Sequence, residues 1–274
     1  MERESERLTL ASVERALQGL PFVHQVLFYE RIGSTNDVAK AEATKGAPEG
    51  LVVLAEEQTA GRGRRGRRWW APAGSALLLS LLFRPPLPPE RASLLMMLCA
   101  LATSDAIAQV TGLDAPLKWP NDVLVPVAGE LRKVAGLLTE TSIGGADQPS
   151  EPPRLDYVVV GIGLNVNVDF RTAPTFIAPA TSLREALGRP VARLPLLRAL
   201  LHAVGERYAR LLAGRSPYAE WQHRLITLGQ RVVADTPQGP LAGLAEAVDE
   251  TGALWLRDEA GKRHHLLAAD VTIL

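Results

Sequence analysis

The sequence has a single cysteine, Cys99, so no internal disulfide can form. Cys99 falls in an apolar run and reads as a core residue of a protein kept in a reducing compartment. An excess of charge is also missing: 30 lysines and arginines are balanced by 30 aspartates and glutamates. A dedicated nucleic-acid binder usually carries a basic surplus, which argues against that class. The segment Met1–Arg7 is charged at five positions and lacks the apolar stretch of a signal peptide. The strongest apolar run, Leu94 to Ala102, is too short to span a bilayer. These absences together point to a cytoplasmic protein with no membrane partner. His24, His202 and His223 are isolated and His264 and His265 are adjacent, so no spacing suits a zinc site. Neither a Gly-x-Ser-x-Gly nucleophile elbow nor a Gly-Lys-Ser/Thr phosphate loop occurs.

What is present is a chain of 274 residues, 47% of them hydrophobic, enough for one large domain and a small appendage. Strand-like and helix-like segments alternate through the first part. Helices are expected over about 8–20, from Ser34 (as a cap, with Asp37 as its capping-box acid), over 91–110, from Thr181–Glu185, and over 194–213 and 218–225. Strands are expected over 22–29, 51–55, 76–83, 117–125, 131–140 and 157–162, with a Gly/Pro/Ser-rich loop at about 142–153. Periodicity alone allows a parallel α/β sheet. After Leu228 the pattern changes to short strands, 231–234, 240–248, 253–257 and 264–267, separated by turn signals. That composition predicts a small barrel, and it divides the chain into residues 1–226 and 227–274.

Four motifs carry polar chemistry. Gly61-Arg62-Gly63-Arg64-Arg65-Gly66-Arg67-Arg68-Trp69-Trp70 is too glycine-rich for a helix and too charged for a core. It reads as a loop whose backbone N–H groups and guanidinium forks suit a phosphate or carboxylate, with a tryptophan face for a ring. Its Gly-x-Gly-x-x-Gly spacing is not a dinucleotide fingerprint, because a strand follows it rather than a helix. A solvated basic loop or an RNA patch is the competing reading of the same residues. Lys118-Trp119-Pro120-Asn121-Asp122 crowds a cation, a carboxamide and a carboxylate around a proline, and could equally be a plain turn. Lys133-Val134-Ala135-Gly136-Leu137-Leu138-Thr139-Glu140 and Gly161-Ile162-Gly163-Leu164-Asn165-Val166-Asn167 place glycines inside strands, where a ligand or another backbone can approach closely.

In order and chemistry these blocks, with Gly33-Ser34-Thr35-Asn36 and Glu57-Gln58-Thr59-Ala60, resemble the biotin protein ligases over about residues 25–274. The resemblance implies an α+β fold. A mixed, largely antiparallel sheet with helices, related to class II aminoacyl-tRNA synthetases, would precede a small C-terminal SH3-like β-barrel. It implies ATP-dependent activation of biotin to biotinyl-5′-AMP, then transfer to a lysine of a biotin carboxyl carrier protein, as in acetyl-CoA carboxylase. Under it, Arg64, Lys133 and Lys118 would be catalytic. Ser34, Thr35, Asn36, Gln58, Gly61, Arg62, Arg64, Lys133 and Gly136 would bind biotin. Arg64, Arg67, Trp69, Lys118, Asn121 and Asn165 would bind the nucleotide, and Asp122 a Mg2+ ion. The loop would act as a lid. Gly33 stands where the family often has serine, which removes one side-chain contact. Some members carry an N-terminal helix-turn-helix domain; only about 25 residues precede the first core strand here, too few for one, so no sequence-specific DNA binding is expected. The sequence sets no oligomeric state and allows a homodimer. A lipoate–protein ligase and a non-catalytic nucleic-acid-binding regulator are the competing functions.

Overall fold

The computed structural model describes residues 7–144, 153–174 and 180–274. Its main sheet has seven strands: β1 (Gln25–Ile32), β2 (Leu51–Gln58), β3 (Ala76–Phe83), β4 (Leu117–Lys118), β5 (Asp122–Val127), β6 (Glu130–Gly144) and β7 (Arg154–Asn165). They lie in the order β1-β2-β3-β7-β6-β5-β4. The β1–β2 pair is parallel and the other five neighbouring pairs are antiparallel. The mixed, largely antiparallel sheet is therefore correct, and the parallel sheet that periodicity allowed is not.

The sequence of β3, Ala-Leu-Leu-Leu-Ser-Leu-Leu-Phe, has no polar face because the strand is central and buried at every position. Alternation sorts its side chains. Leu77, Leu79, Leu81 and Phe83 join the large core under helices α3 (Ser93–Thr111) and α5 (Arg193–Leu212). On the other face Leu82 packs under α2 (Thr35–Thr44), and Leu78 lies beneath Trp69 and Trp70. Between those two contacts sits Ser80, the polar member of the strand, whose hydroxyl meets Thr35 and Asn36. One serine in an apolar strand thus marks where the site lies.

Helix α3 is buried along most of its length, as its all-round apolar sequence requires. The segment Pro89–Thr111 is by length and hydropathy sufficient to cross a membrane, longer than the run Leu94–Ala102 suggested, yet it is a core helix of this fold. The described remainder comprises α1 (Leu10–Leu17), α4 (Leu183–Leu187), capped by the Ser182 hydroxyl as expected, and α6 (Tyr218–His223).

Two local expectations fail for physical reasons. The single strand over 117–125 is two strands, because Trp119-Pro120-Asn121 turns the chain between β4 and β5 through a cis Trp119–Pro120 bond. Ser34 does precede α2, but its side chain makes no cap bond. The Thr35 N–H donates to Gln58 Oε1 at 2.7 Å instead, and Asp37 is held by Arg62 rather than closing a capping box.

The C-terminal unit is a five-stranded antiparallel sheet of β8 (Arg231–Thr236), β9 (Gly239–Val248), β10 (Leu254–Arg257), β11 (Arg263–Leu266) and β12 (Asp270–Ile273), in the order β11-β10-β9-β8-β12. Strand β12 went unread in the sequence; only four residues long, it pairs with β8. Trp119 ties this unit to the main sheet: its N–H donates to Thr227 Oγ1 and its indole N–H to Gly252 O. Most of the 142–153 loop, residues 145–152, lies outside the described residues.

Candidate active site

One cavity of about 340 Å³ opens where α2, the arginine loop and the glycine-bearing stretches of β6 and β7 meet. Two polar clusters line it. The first is built by α2, whose N-terminal turn is pinned to β2 and β3. Gln58 Oε1 accepts from both the backbone and the hydroxyl of Thr35, and the Ser80 hydroxyl donates to Asn36 Oδ1 at 2.5 Å. Asn36 Nδ2 in turn donates to Glu140 Oε2 at 2.8 Å, and Glu140 also takes the Lys40 ammonium at 2.5 Å. Burial pushes the Glu140 carboxyl up, but the Lys40 and Asn36 bonds outweigh it and hold the group below its ordinary value. Ser34, Thr35 and Asn36 are all buried. The oxygen of the Gln58 carboxamide is doubly occupied, which leaves its NH2 as the donor available to a ligand.

The second cluster is cationic. The arginine loop is a small hairpin: Trp69 N–H donates to Gly61 O, Gly63 N–H to Arg67 O, and Arg62 bridges Arg68. Its tip is a single 3-10 turn, Arg64–Gly66. Most of its guanidinium groups are spoken for. Arg62 makes a bidentate pair with Asp37 at 2.6 and 2.8 Å, Arg65 pairs with Asp235 at 2.7 Å, and Arg67 with Asp270 at 2.5 Å. Arg64 differs. It lines the cavity and makes no ion pair among the described residues; its partners are two neutral oxygens, Asn121 Oδ1 and Ala269 O, each at 3.4 Å. Lys118, on β4, likewise has no ion pair among the described residues. Burial pushes the pKa of both groups down, more than neighbouring carboxylates raise it. Two half-buried cations that no carboxylate bonds directly are costly by themselves, and an anion brought into the cavity would offset that cost.

Lys133 stands beside them and pairs with Asp122 at 2.6 Å. A bulge between Val123 and Leu124 in the β5–β6 register leaves Val134 opposite no partner and re-aims Lys133 next to it. Asn121 Nδ2 donates to Leu137 O at 2.6 Å, which fixes its Oδ1 towards Arg64. No group of three or more His, Cys, Asp or Glu residues able to cage a metal exists among the described residues.

Trp69 lies on a floor made of glycine. Gly136 and Gly163 face each other across β6 and β7. A Cβ on Gly136 would stand 3.0 Å from Trp69 Cζ3 and from Lys133 Nζ, and one on Gly163 would collide with the indole. Gly161 likewise gives the Asn36 carboxamide its seat. Trp69 and Asn165 line the cavity, and the buried indole Nε1 and Asn165 Oδ1 have no hydrogen-bond partner among the described residues. Asn165 is oriented by its other end, where Nδ2 donates to Thr181 O at 3.1 Å. One donor and one acceptor are therefore left unsatisfied in the cavity wall.

Of the residues singled out in the sequence, Ser34, Thr35, Asn36, Gln58, Arg62, Arg64, Arg67, Trp69, Asn121, Lys133, Gly136 and Asn165 line this cavity. Gly61, Lys118 and Asp122 do not line it. Gly61 lies at the base of the hairpin, where a Cβ would press on Trp69 O, while Lys118 and Asp122 stand paired in register behind Lys133. Arg62 and Arg67 were expected over the ligand's anionic groups but are engaged by Asp37 and Asp270. Sequence reasoning missed Ser80, Glu140 as a partner of Asn36, and Phe170, which also lines the cavity; it read Gly161 and Gly163 as close-approach positions, and what approaches them are the Asn36 and Trp69 side chains. Ser80 and the strand glycines carried a signal, being polar or side-chain-free positions in otherwise apolar strands. Phe170 carried none.

Comparison with known proteins adds the following. Residues 28–165 match the biotin/lipoate A/B protein ligase family, and residues 227–274 match the biotin protein ligase C-terminal domain. The chain is 38% identical over 237 residues to the biotin–[acetyl-CoA-carboxylase] ligase of Paracoccus denitrificans, covering 83% of this chain and 93% of that one. It is 36% identical over 253 residues to the enzyme of the same name from Mycobacterium tuberculosis, covering 88% and 86%. Among solved structures, the biotin protein ligase of Aquifex aeolicus in complex with biotin and ATP superposes with a TM-score of 0.70 at 26% identity, over 91% of this chain and 98% of that one.

Proposed function

The chain belongs to the biotin/lipoate A/B protein ligase family and is a biotin protein ligase, and we propose that the cavity described above holds biotin and ATP together for adenylation. The observation that carries this reading is the pairing of a half-buried cation with no ion pair among the described residues, Arg64, with a polar cluster built to accept a neutral amide-like head. Biotin is such a molecule: a polar ureido ring at one end, an apolar body, and a carboxylate at the other. The Gln58 carboxamide, Thr35 and Ser34 would take the ureido group, and Leu79, Leu137 and Ile162 the apolar body. Asn36, held by Ser80 and Glu140, and Gly61, which fixes the hairpin base, would shape that end.

The carboxylate would then lie at Arg64 and Lys133, where the α-phosphate of ATP must also come. In the first step a carboxylate oxygen forms a bond to the α-phosphorus, the bond from that phosphorus to the β-phosphate oxygen breaks, and pyrophosphate leaves. Two anions must meet, so the chain's contribution is charge compensation and positioning in a site closed to water. Arg64, Lys133 and Lys118 supply the charge; Trp69, on its glycine floor, walls off solvent. The unpartnered Asn165 Oδ1 would accept from the adenine amine, and Asn121 keeps the Arg64 guanidinium aimed. Arg67 would reach the nucleotide from the rim, and Arg62, neutralised by Asp37, would frame the biotin end. In the second step the amine of a carrier-protein lysine attacks the acyl carbon, a C–N bond forms, the C–O bond of the mixed anhydride breaks, and AMP leaves.

A Mg2+ ion would draw on Asp122, a carboxylate that Lys133 now holds at 2.6 Å just outside the cavity lining. A Mg2+ ion beside a nucleotide is commonly held by one or two carboxylates together with phosphates, not by a protein cage. Asp122 is a single carboxylate beside Lys133, Lys118 and Arg64. Bound there, the ion would offset charge on the phosphates. A biotin carboxyl carrier protein is the implied protein substrate, and the buried Cys99 supports assignment to the cytoplasm.

The test is transfer of labelled biotin to the carrier domain of acetyl-CoA carboxylase in the presence of ATP and Mg2+. Label on the carrier's acceptor lysine, lost when that lysine is replaced by arginine, is the expected result. Labelling with lipoate in place of biotin would assign the cavity to the family's other substrate.

A further inference from the structure

The C-terminal sheet bears an arrangement that its own folding does not explain. Asp235 on β8 and Asp270 on β12 are direct register partners, so two carboxylates stand side by side across one antiparallel pair. Like charges in that position destabilise a sheet unless a cation lies over them. The cations come from the other end of the sequence. Arg65 Nη1 donates to both Asp235 O and Asp235 Oδ2 at 2.7 Å and lies 3.9 Å from Asp270, while Arg67 reaches Asp270 Oδ1 at 2.5 Å. A third contact, Arg64 Nη1 to Ala269 O, completes the seam.

The backbone is arranged for this. Arg65 has φ 54°, a left-handed conformation that residues with side chains seldom adopt, and Gly66 follows at φ 73°. That turn separates the side chains of the tip. Arg64 faces the cavity, while Arg65, for which the ligand chemistry has no use, is turned onto the C-terminal sheet.

We propose that Asp235 and Asp270 are positioning residues: a carboxylate latch by which the C-terminal sheet seats the tip of the arginine hairpin, through Arg65 and Arg67, and so places Arg64 in the cavity. The inference rests on the ligase reading of that cavity. It gives the C-terminal unit a part in adenylation that is separate from any contact it makes with the carrier protein.

The test is a charge swap at the pair outside the substrate site. Asp235→Arg and Arg65→Asp are made singly and together, with Asp235→Asn as the conservative variant. Biotin-dependent exchange of labelled pyrophosphate into ATP gives KM and kcat. Brief trypsin digestion, read by mass spectrometry for cleavage after Arg62, Arg67 and Arg68, which every variant keeps, reports the hairpin without reference to activity. Exposed ion pairs of this kind shift populations by roughly twofold to fivefold. Each single variant should therefore raise KM for biotin and ATP by about that factor with kcat retained, because fewer molecules are binding-competent. The same variants should speed hairpin cleavage, Asp235→Asn in the same direction but less, and the double swap should return both readouts to within about twofold of wild type. A purely structural lesion would lower kcat and would not be rescued. Single variants with wild-type KM and cleavage, or a double variant equal to the sum of its parts, would overturn the latch. If wild type exchanges no pyrophosphate with biotin, the ligase reading falls and the cleavage arm alone decides the latch.

Discussion

Gly163→Ala adds one methyl group to the middle of β7 and tests whether Trp69 forms the wall of the site. Built on the backbone, the methyl would overlap Cε2, Cζ2 and Nε1 of the indole. The floor cannot give: a Cβ on Gly136 opposite would itself stand only 3.0 Å from the ring, so the indole has no slack on that side, and Leu164 and Ile162 on either side are buried. An indole is rigid, so the ring must rise as a body into the cavity. Overpacking by one methylene costs about 1–3 kcal/mol. Because Trp69 lines the cavity, that cost falls on ligand binding more than on global stability. At 1.4 kcal/mol per factor of ten, KM should rise about fivefold to 150-fold, with a small change in Tm. Gly144→Ala is the control: it lies in the same β6–β7 ladder, and its methyl would meet Asp156 Cβ at an ordinary 3.8 Å. Pyrophosphate exchange over a range of biotin and ATP concentrations supplies both KM values. A Gly163→Ala enzyme with both KM values within about twofold of wild type would refute the reasoning, since the indole could not then rest where the glycines allow it.

Other expectations follow from the charged groups. Arg64→Ala should lower kcat for exchange by about 10²–10³-fold, the usual loss when one preorganised donor to developing charge is removed, and Arg64→Lys should recover only part of it. Burial depresses the Lys118 pKa, so between its folded and unfolded values the unfolded chain holds more protons and stability rises with pH. Lys118→Met should abolish that slope and raise Tm at neutral pH while lowering exchange about 10²-fold, and wild-type kcat/KM should fall on the alkaline side below the ordinary lysine range. The Glu140 carboxyl is lowered, so its contribution is full above the unfolded carboxylate range and is lost as pH falls through the folded value. Glu140→Gln should therefore flatten the acid-side loss of stability, read as Tm between pH 3 and 7, and raise KM for biotin about fivefold by loosening Asn36.

What the sequence disclosed was local. β3 could be read to the residue because a central strand is apolar throughout, and α3 to within two residues at either end because a buried helix is apolar on all sides. The arginine hairpin announced itself through its glycines. What stayed hidden was set by partners distant in the chain. Nothing near Asp37 signals that Arg62 will take it from the α2 cap, and nothing near β12 says that Asp270 will stand opposite Asp235. The break at Trp119-Pro120-Asn121 was obscured because the flanking residues have strand character and the tryptophan is held by Thr227 and Gly252. The four motifs were each ambiguous alone; their convergence on one cavity comes from the β6–β7 register, which aligns Gly136 with Gly163 and Leu138 with Gly161. Register is a tertiary property, and spacing in one strand does not reveal it.

The most direct measurement of the central claim is exchange of labelled pyrophosphate into ATP without any carrier protein, with biotin and lipoate as parallel substrates and Mg2+ present. Exchange that depends on biotin, is absent with lipoate, and collapses in Arg64→Ala is the predicted result. Exchange that proceeds without biotin, or at wild-type rate in Arg64→Ala, would contradict the account of this cavity as the place where carboxylate and α-phosphate meet.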